Sequence, residues 1–191
     1  MDILVIFLFV HCTMKLHVGC GMKYLNGWKH SDVKNLEHVD YCCDARDIEK
    51  HIVPSSLNEL YACHILEHFG RHEVDSVLES WSKLLQPGGQ IRLAVPDIEA
   101  VCEHYQEHKN LSILRGLLWG GQRDTFDFHT IGFDYEDLKT RLERVGFEDV
   151  RRYDWREFLP EGFDDYSRSY LPHLDFENGK LMSLNIVAIK K

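Results

Sequence analysis

The sequence predicts an α/β fold: one mostly parallel sheet with helices on both faces. Three observations predict it. Short apolar or β-branched runs alternate with helical segments or loops, which is the pattern of parallel strands joined by crossovers. The second and third of those runs each close on an acid, Asp32 and Asp44. One strongly periodic helix separates two of the runs, and Pro-Gly-Gly follows it.

The elements can be justified in order. Leu16-His-Val18 reads as a short strand running into Gly19-Cys20-Gly21. Trp28 to Val33 is a second extended segment, and Val39 to Cys43 a third. Leu57 to Cys63 is a fourth, apolar run. Val74, Val77, Leu78, Trp81, Leu84 and Leu85 recur at the spacing of one buried helix face, and Gln86-Pro-Gly-Gly89 stops that helix. Ile91 to Val95 is a buried-type strand closed by Pro96. A His- and Glu-rich helix over 98–108 follows. Asp134 opens another, with Leu138, Leu142 and Val145 on one face and Gly146 as its stop. Val150 to Trp155 and Leu184 to Ile189 complete the strands. The stretch from Trp155 to Asn178 exceeds normal connector length, so it should carry function or cover a site.

The chain has 191 residues, enough for one domain, and is 44% hydrophobic, so it can build a sizeable core. Residues 14–191 are expected to form that domain, with 1–13 as an N-terminal extension outside it. Residues 3–10 are apolar but lack the basic leading segment and cleavage site of a signal peptide. No apolar run approaches the roughly 20 residues needed to span a bilayer, so no stable membrane insertion is expected. Lys and Arg total 22 against 31 Asp and Glu, a formal charge of −9. That balance disfavours a sequence-independent grip on nucleic acid. The six cysteines include an adjacent pair, Cys42-Cys43, and no C-x-x-C. They read as free thiols in a reducing, cytoplasmic setting.

The first strand end carries the chemistry. Glycines at 19 and 21 let the backbone approach a ligand and take positive φ at little cost. In an open α/β sheet, strand ends converge on one crevice where ligands bind. A carboxylate there can accept both ribose hydroxyls, and a second can reach an adenine amino group. Asp32 and Asp44 occupy the right places. A nicotinamide dinucleotide is the nearby competitor, but its G-x-G-x-x-G loop fails here because position 24 is Tyr. The segment from Gly21 to Asp32 is also too short for a full crossover helix and a strand.

Four pieces, Leu16-His-Val-Gly-Cys-Gly21, Cys43-Asp-Ala-Arg46, Tyr61-Ala-Cys-His-Ile-Leu-Glu-His-Phe69 and Leu85-Gln-Pro-Gly-Gly89, then stand out together. They resemble, in order and spacing, the motifs of class I S-adenosylmethionine-dependent methyltransferases. Gly120-Gly-Gln122, Asp127-Phe-His129, Gly132-Phe133, Asp164-Asp-Tyr-Ser167 and Tyr170-Leu-Pro-His173 look like a small predicted-methyltransferase branch with a short first crossover. The resemblance runs from about Met14 to the C-terminus. It implies a Rossmann-like, seven-strand-type sheet and S-adenosylmethionine as cofactor. Gly19, Cys20 and Gly21 would line its methionine part, Asp32 would hold the ribose, Asp44 and Ala45 would border the adenine, and His64 would face it from the fourth strand. The acid common one position before the first-motif hydrophobe is replaced by His17.

The expectation is a metal-independent enzyme that methylates an oxygen or nitrogen of a small-molecule or side-chain acceptor. The stretches 97–133 and 155–178 would build the acceptor pocket. His129, Tyr166 and His173 would converge over the cofactor methyl, with His129 as general base. Two alternatives come from other classes. One is a non-catalytic module that only binds the cofactor. The other follows from His64-Ile-Leu-Glu67-His68, which spells the H-x-x-E-H of inverted zinc peptidases and requires both histidines on one long helix.

Overall fold

The computed structural model describes residues 14–191; the expected extension over 1–13 lies outside the described residues. Its centre is a seven-stranded sheet. Strands β1 (Met14–Val18), β2 (Lys29–Asp32), β3 (Tyr41–Cys42), β4 (Leu57–Cys63), β5 (Leu85–Pro96), β6 (Phe147–Arg152) and β9 (Ser183–Lys190) lie in the order β3-β2-β1-β4-β5-β9-β6. Pairing is parallel from β3 through β5. Only β9 runs against its neighbours, β5 and β6. A separate ribbon pairs β7 (Tyr170–Leu171) with β8 (Lys180–Leu181). The strand order reverses between β1 and β4, which is where such a sheet opens a crevice.

The two sheet faces differ in kind. Register places Leu16 beside Leu60 and Leu60 beside Ile91, and period-two alternation sends them, with Val18, Ala62, Leu93, Val95, Leu184, Ile186 and Ala188, into one aliphatic cluster. Helices α1 (Val74–Leu84) and α4 (Tyr135–Arg144) cover that face. Val77, Leu78, Trp81 and Leu84 come from α1, and Leu138 and Leu142 from α4, as their periodicity requires. Burial of each such side chain contributes roughly 1.5–3 kcal/mol. Trp81 also donates its indole N–H to the Ala45 carbonyl at 3.0 Å, which ties the loop after β3 to the core.

The opposite face carries His17, His30, Tyr61, Arg92 and Asn185, an unusually polar set. The connections from β1 to β2 and from β2 to β3 contain no helix to cover it. The one-turn helix α5 (Trp155–Phe158) and the chain after it do so instead. Trp155, Phe158, Leu159 and Phe163 pack on Tyr61 and Ala94, with Trp28 from the β1–β2 loop. The Tyr61 hydroxyl donates to Asp165 at 2.6 Å, which locks this cover to β4. Helix α2 (Ile98–His108) and the short α3 (Arg115–Trp119) form a third cluster with Met182.

Several boundaries move from the sequence expectation. The third strand shrinks to two residues, because the Asp40 carboxylate accepts the His30 amide N–H and pairs with Lys29 to build a turn. Leu85 belongs to β5 rather than to the helix, and the register jump opposite Leu57 and Glu59 absorbs Gln86 to Gly89. The expected strand at Val150–Trp155 lies three residues earlier. Phe147 is fully buried directly after α4, and Asp154 caps α5 by accepting the Arg156 N–H. Asp97 and Asp134 cap α2 and α4 in the same way.

His17 stacks on Tyr61 at 5.1 Å between ring centroids, and its Nδ1 has no hydrogen-bond partner among the described residues. Burial, reinforced by His30 and His38, lowers its pKa from 6.5 to about 3. The native state therefore keeps it neutral while the unfolded chain protonates it. Its contribution to stability is complete above pH 6.5 and falls, by about 1.4 kcal/mol per pH unit, as pH drops toward 3. His17→Phe should flatten the acid side of the stability profile, measured by urea unfolding between pH 6.5 and 4. An unchanged slope would show that His17 is not held neutral.

Candidate active site

The carboxyl ends of β1, β2 and β3 open onto a cleft of about 620 Å³. Gly19, Gly21, Asp32, Asp44 and Ala45 all line it, so five residues scattered through the sequence come together there. Gly19 has φ +64, and a Cβ on it would lie 2.0 Å from Ile65 Cδ1. The loop after β1 therefore passes directly beneath the loop after β4. A Cβ on Gly21 would meet nothing within 4 Å, so this glycine faces open cleft. Asp32 ties the loop down: its Oδ2 accepts the Gly21 N–H and its Oδ1 the Lys34 N–H, both at 2.8 Å. Asp44 is gripped by Arg46 through two nitrogens at 2.9 and 2.7 Å, and this pairing holds its carboxyl below the usual range.

Two expected residues do not reach the cleft. Cys20 is buried with its thiol toward His38 and the Gly21 carbonyl, and burial together with the Asp32 charge pushes it up to about 12. It is an inert packing residue. His64 follows β4 directly, with φ +53, but turns its ring away. Its Nδ1 is 3.2 Å from Glu67 Oε1 and its Nε2 3.3 Å from Ser183 Oγ. His17 also points away, to the polar sheet face.

The segment 123–130 forms the cleft's outer wall. Asp124 bonds Lys34 at 3.2 Å across the mouth, and Arg123 pairs with Asp127 at 2.6 Å. At the other end the Thr130 N–H donates to the Glu67 carbonyl at 2.8 Å, and its hydroxyl to the Phe69 carbonyl at 2.6 Å. Phe69, Phe126 and Phe128 give this wall apolar surface, while His68, Lys34 and Arg123 give it polar tips. Lys34 and Arg46 were missed in the sequence, and His68 was read only as a candidate zinc ligand; Arg46 and His68 lie inside quoted motifs, but nothing local marks their direction.

The proposed catalytic trio does not converge. His129 stands behind the cleft wall with 9% of its side chain exposed. Its Nδ1–H donates to the Leu117 carbonyl at 2.9 Å, and its Nε2 lies 3.8 Å from Glu67. Tyr166 is exposed and packs on the His64 ring at 5.3 Å. His173 is exposed on the turn after β7, with no hydrogen bond or ring contact to either. The 155–178 stretch contributes nothing to the cleft lining, because it is committed to covering the second sheet face.

Glu67 is the most unusual group. It is fully buried, and neither carboxylate oxygen has a well-aligned hydrogen bond. Burial alone would raise its pKa; His64, His129 and His68 around it outweigh that and hold it low. Burial lowers His129 in turn. The peptidase alternative fails here on geometry. His64 follows the last residue of β4 and His68 ends a single 3-10 turn, Leu66–His68, so no long helix carries both.

No protein-family model matches the chain, and no curated protein is similar to it in sequence. In fold it is similar to S-adenosylmethionine-dependent methyltransferases. One from Archaeoglobus fulgidus superposes with a TM-score of 0.55 at 16% identity, covering 94% of this chain and 86% of that one. The 1,6-didemethyltoxoflavin-N1-methyltransferase of Burkholderia thailandensis, solved with bound 1,6-didemethyltoxoflavin and S-adenosylhomocysteine, gives 0.57 at 14% identity, covering 93% and 71%.

The tight passage of Gly19 under Ile65 gives a direct test. Gly19→Ala should destabilise the protein by about 2–4 kcal/mol, combining the positive φ with overpacking. Adding Ile65→Ala should recover part of that loss, since it removes the clash but not the backbone strain. Thermal unfolding of the single and double variants reads both effects.

Proposed function

We propose that the protein transfers the methyl group of S-adenosylmethionine to an oxygen or nitrogen of a small or medium acceptor, in the cytoplasm. The observation that carries this reading is the convergence of Gly19, Gly21, Asp32, Asp44 and Ala45 on one cleft at the carboxyl ends of adjoining strands. The residues fit the cofactor. Gly21 offers backbone against open space, and the Asp32 carboxylate keeps free lone pairs at the end of β2 for a pair of ribose hydroxyls. Ala45 leaves room for a flat base beside Asp44, whose bidentate hold on Arg46 makes it a wall rather than a free acceptor.

When bound, the cofactor supplies a methyl on a positively charged sulfur, an activated donor whose transfer depends on positioning and desolvating the acceptor. The chain's own contribution is therefore shape and water exclusion. Phe69, Phe126 and Phe128 supply apolar surface to the cleft, and the 123–130 segment forms its outer wall. His129 does not line the cleft, so the reading assigns it no direct proton transfer. Free thiols at all five described cysteines and a net charge of −9 fit a reducing compartment and an acceptor other than nucleic acid.

S-adenosylhomocysteine should raise the melting temperature, as a ligand of the native state does. Asp32→Ala should weaken its binding by about 10- to 100-fold, the loss of a charged acceptor worth roughly 1.5–3 kcal/mol. Calorimetry showing NAD bound, and neither sulfur nucleoside, would replace this reading with a dehydrogenase. Tight binding without turnover on any acceptor would favour the non-catalytic module.

A further inference from the structure

We propose that Glu67, His68 and His129 form a binding site for a divalent transition-metal ion, zinc(II) by preference, in the wall of the cleft. This departs from the metal-independent expectation of the sequence. One ligand atom from each of the three residues lies within 4.8 Å of the others, and Glu67 Oε1 stands 3.8 Å from His129 Nε2. Donors around an ion at 2.0–2.1 Å are themselves about 3–4 Å apart, so a small side-chain turn closes the set.

Three independent features prepare these groups for an ion. Each histidine is oriented by a backbone carbonyl: His68 Nδ1–H donates to Phe128 at 3.0 Å and His129 Nδ1–H to Leu117 at 2.9 Å. That tautomer leaves both Nε2 atoms as lone-pair donors, which is how proteins hold imidazole ligands. Glu67 is fully buried, with His64 Nδ1 at 3.2 Å and His129 Nε2 at 3.8 Å from its carboxylate but no well-aligned hydrogen bond to either oxygen, so it keeps acceptor capacity for a cation where a buried carboxylate is costly. Finally, the two segments that carry the ligands are joined. The Thr130 amide, next to His129, donates to the carbonyl of Glu67 itself, which fixes their separation.

The donor set selects the ion. Two imidazoles and one carboxylate suit zinc and its transition-metal neighbours, whereas magnesium and calcium prefer oxygen ligands throughout. Three protein ligands leave a coordination position open. Because His68 lines the cleft, that position borders the space where an acceptor would lie. His64, 3.2 Å from the Glu67 carboxylate, steadies it from behind. The ligands therefore differ from those of an H-x-x-E-H peptidase, where both histidines of the motif bind and the glutamate does not.

The test uses metal-free full-length protein and needs neither cofactor nor activity, so it is independent of the methyl-transfer reading. Calorimetric titration with zinc chloride should show one equivalent bound, with magnesium chloride binding far more weakly. Glu67→Gln and His129→Ala should each lower zinc affinity by more than the roughly 10- to 100-fold typical of losing a supporting residue. The double variant His104→Ala/His108→Ala removes the competing pair on α2, whose rings lie 4.2 Å apart, and should leave affinity unchanged. X-ray absorption of the zinc-loaded wild type should show two imidazoles and oxygen ligands, which decides the matter even if the Glu67 variant fails to fold. Substoichiometric binding, equal uptake of magnesium, loss of zinc in the α2 double variant, or a shell without imidazole would each overturn the proposal.

Discussion

The short return from β1 to β2 is the constraint on which much of the structure depends. Parallel pairing forces the chain to travel back along the full strand between Val18 and Lys29, and so few residues cannot also form a helix. The loop is consequently tight, held by the Gly21 amide on Asp32 and by Gly19 under Ile65. The same economy recurs between β2 and β3. One sheet face is thereby left without crossover helices, and the chain beyond β6 has to supply its cover. The polar character of that face follows. His17, Tyr61 and Asn185 are packed beneath a loop that brings its own polar partners, Asp165 for Tyr61 and the Ser167 carbonyl for Asn185.

The cleft wall illustrates how few strong interactions hold a functional segment. Lys34–Asp124 and Arg123–Asp127 lie at the surface, where water and salt screen them, so they hold the segment only weakly. The firm anchorage lies at the other end, where Thr130 donates its amide and hydroxyl to the Glu67 and Phe69 carbonyls of the β4–α1 loop. Segment 123–130 is thus anchored at its base beside Glu67 and closed on itself at its tip, where Asp127 accepts the Gly121 and Arg123 amides. The same base fixes His68 and His129 relative to each other, so the wall of the cleft and the histidine cluster are mechanically one unit.

Much of the fold was legible because it rests on periodicity and punctuation. The α1 stripe, the Asp134 helix start and the strand runs of β1, β4, β5 and β9 each satisfy a local rule. The cleft residues after β1, β2 and β3 were legible for a topological reason: strand ends in such a sheet meet. What failed were inferences about direction. His64 shares its neighbours' loop, yet a positive φ swings its ring away from the cleft, and nothing in one sequence encodes that turn. His129, Tyr166 and His173 were grouped by composition, and composition says nothing about which long segment must serve as sheet cover. Glu67 was read as part of a linear motif, while its significance comes from His129, brought beside it by the Thr130 bridge.

The position of β9 has a consequence for how this chain acquires its structure. It follows β6 in sequence but lies between β5 and β6, pairing with both. The sheet therefore cannot close while the chain is being made until residues 183–190 have emerged from the ribosome. Until then β5 presents an open apolar edge, and Tyr61 awaits an Asp165 that lies 104 positions further on. Topologies dominated by such distant pairings fold slowly and expose strand edges while they do so. The last paired strand to be made is thus the one that joins β6 to the rest of the sheet.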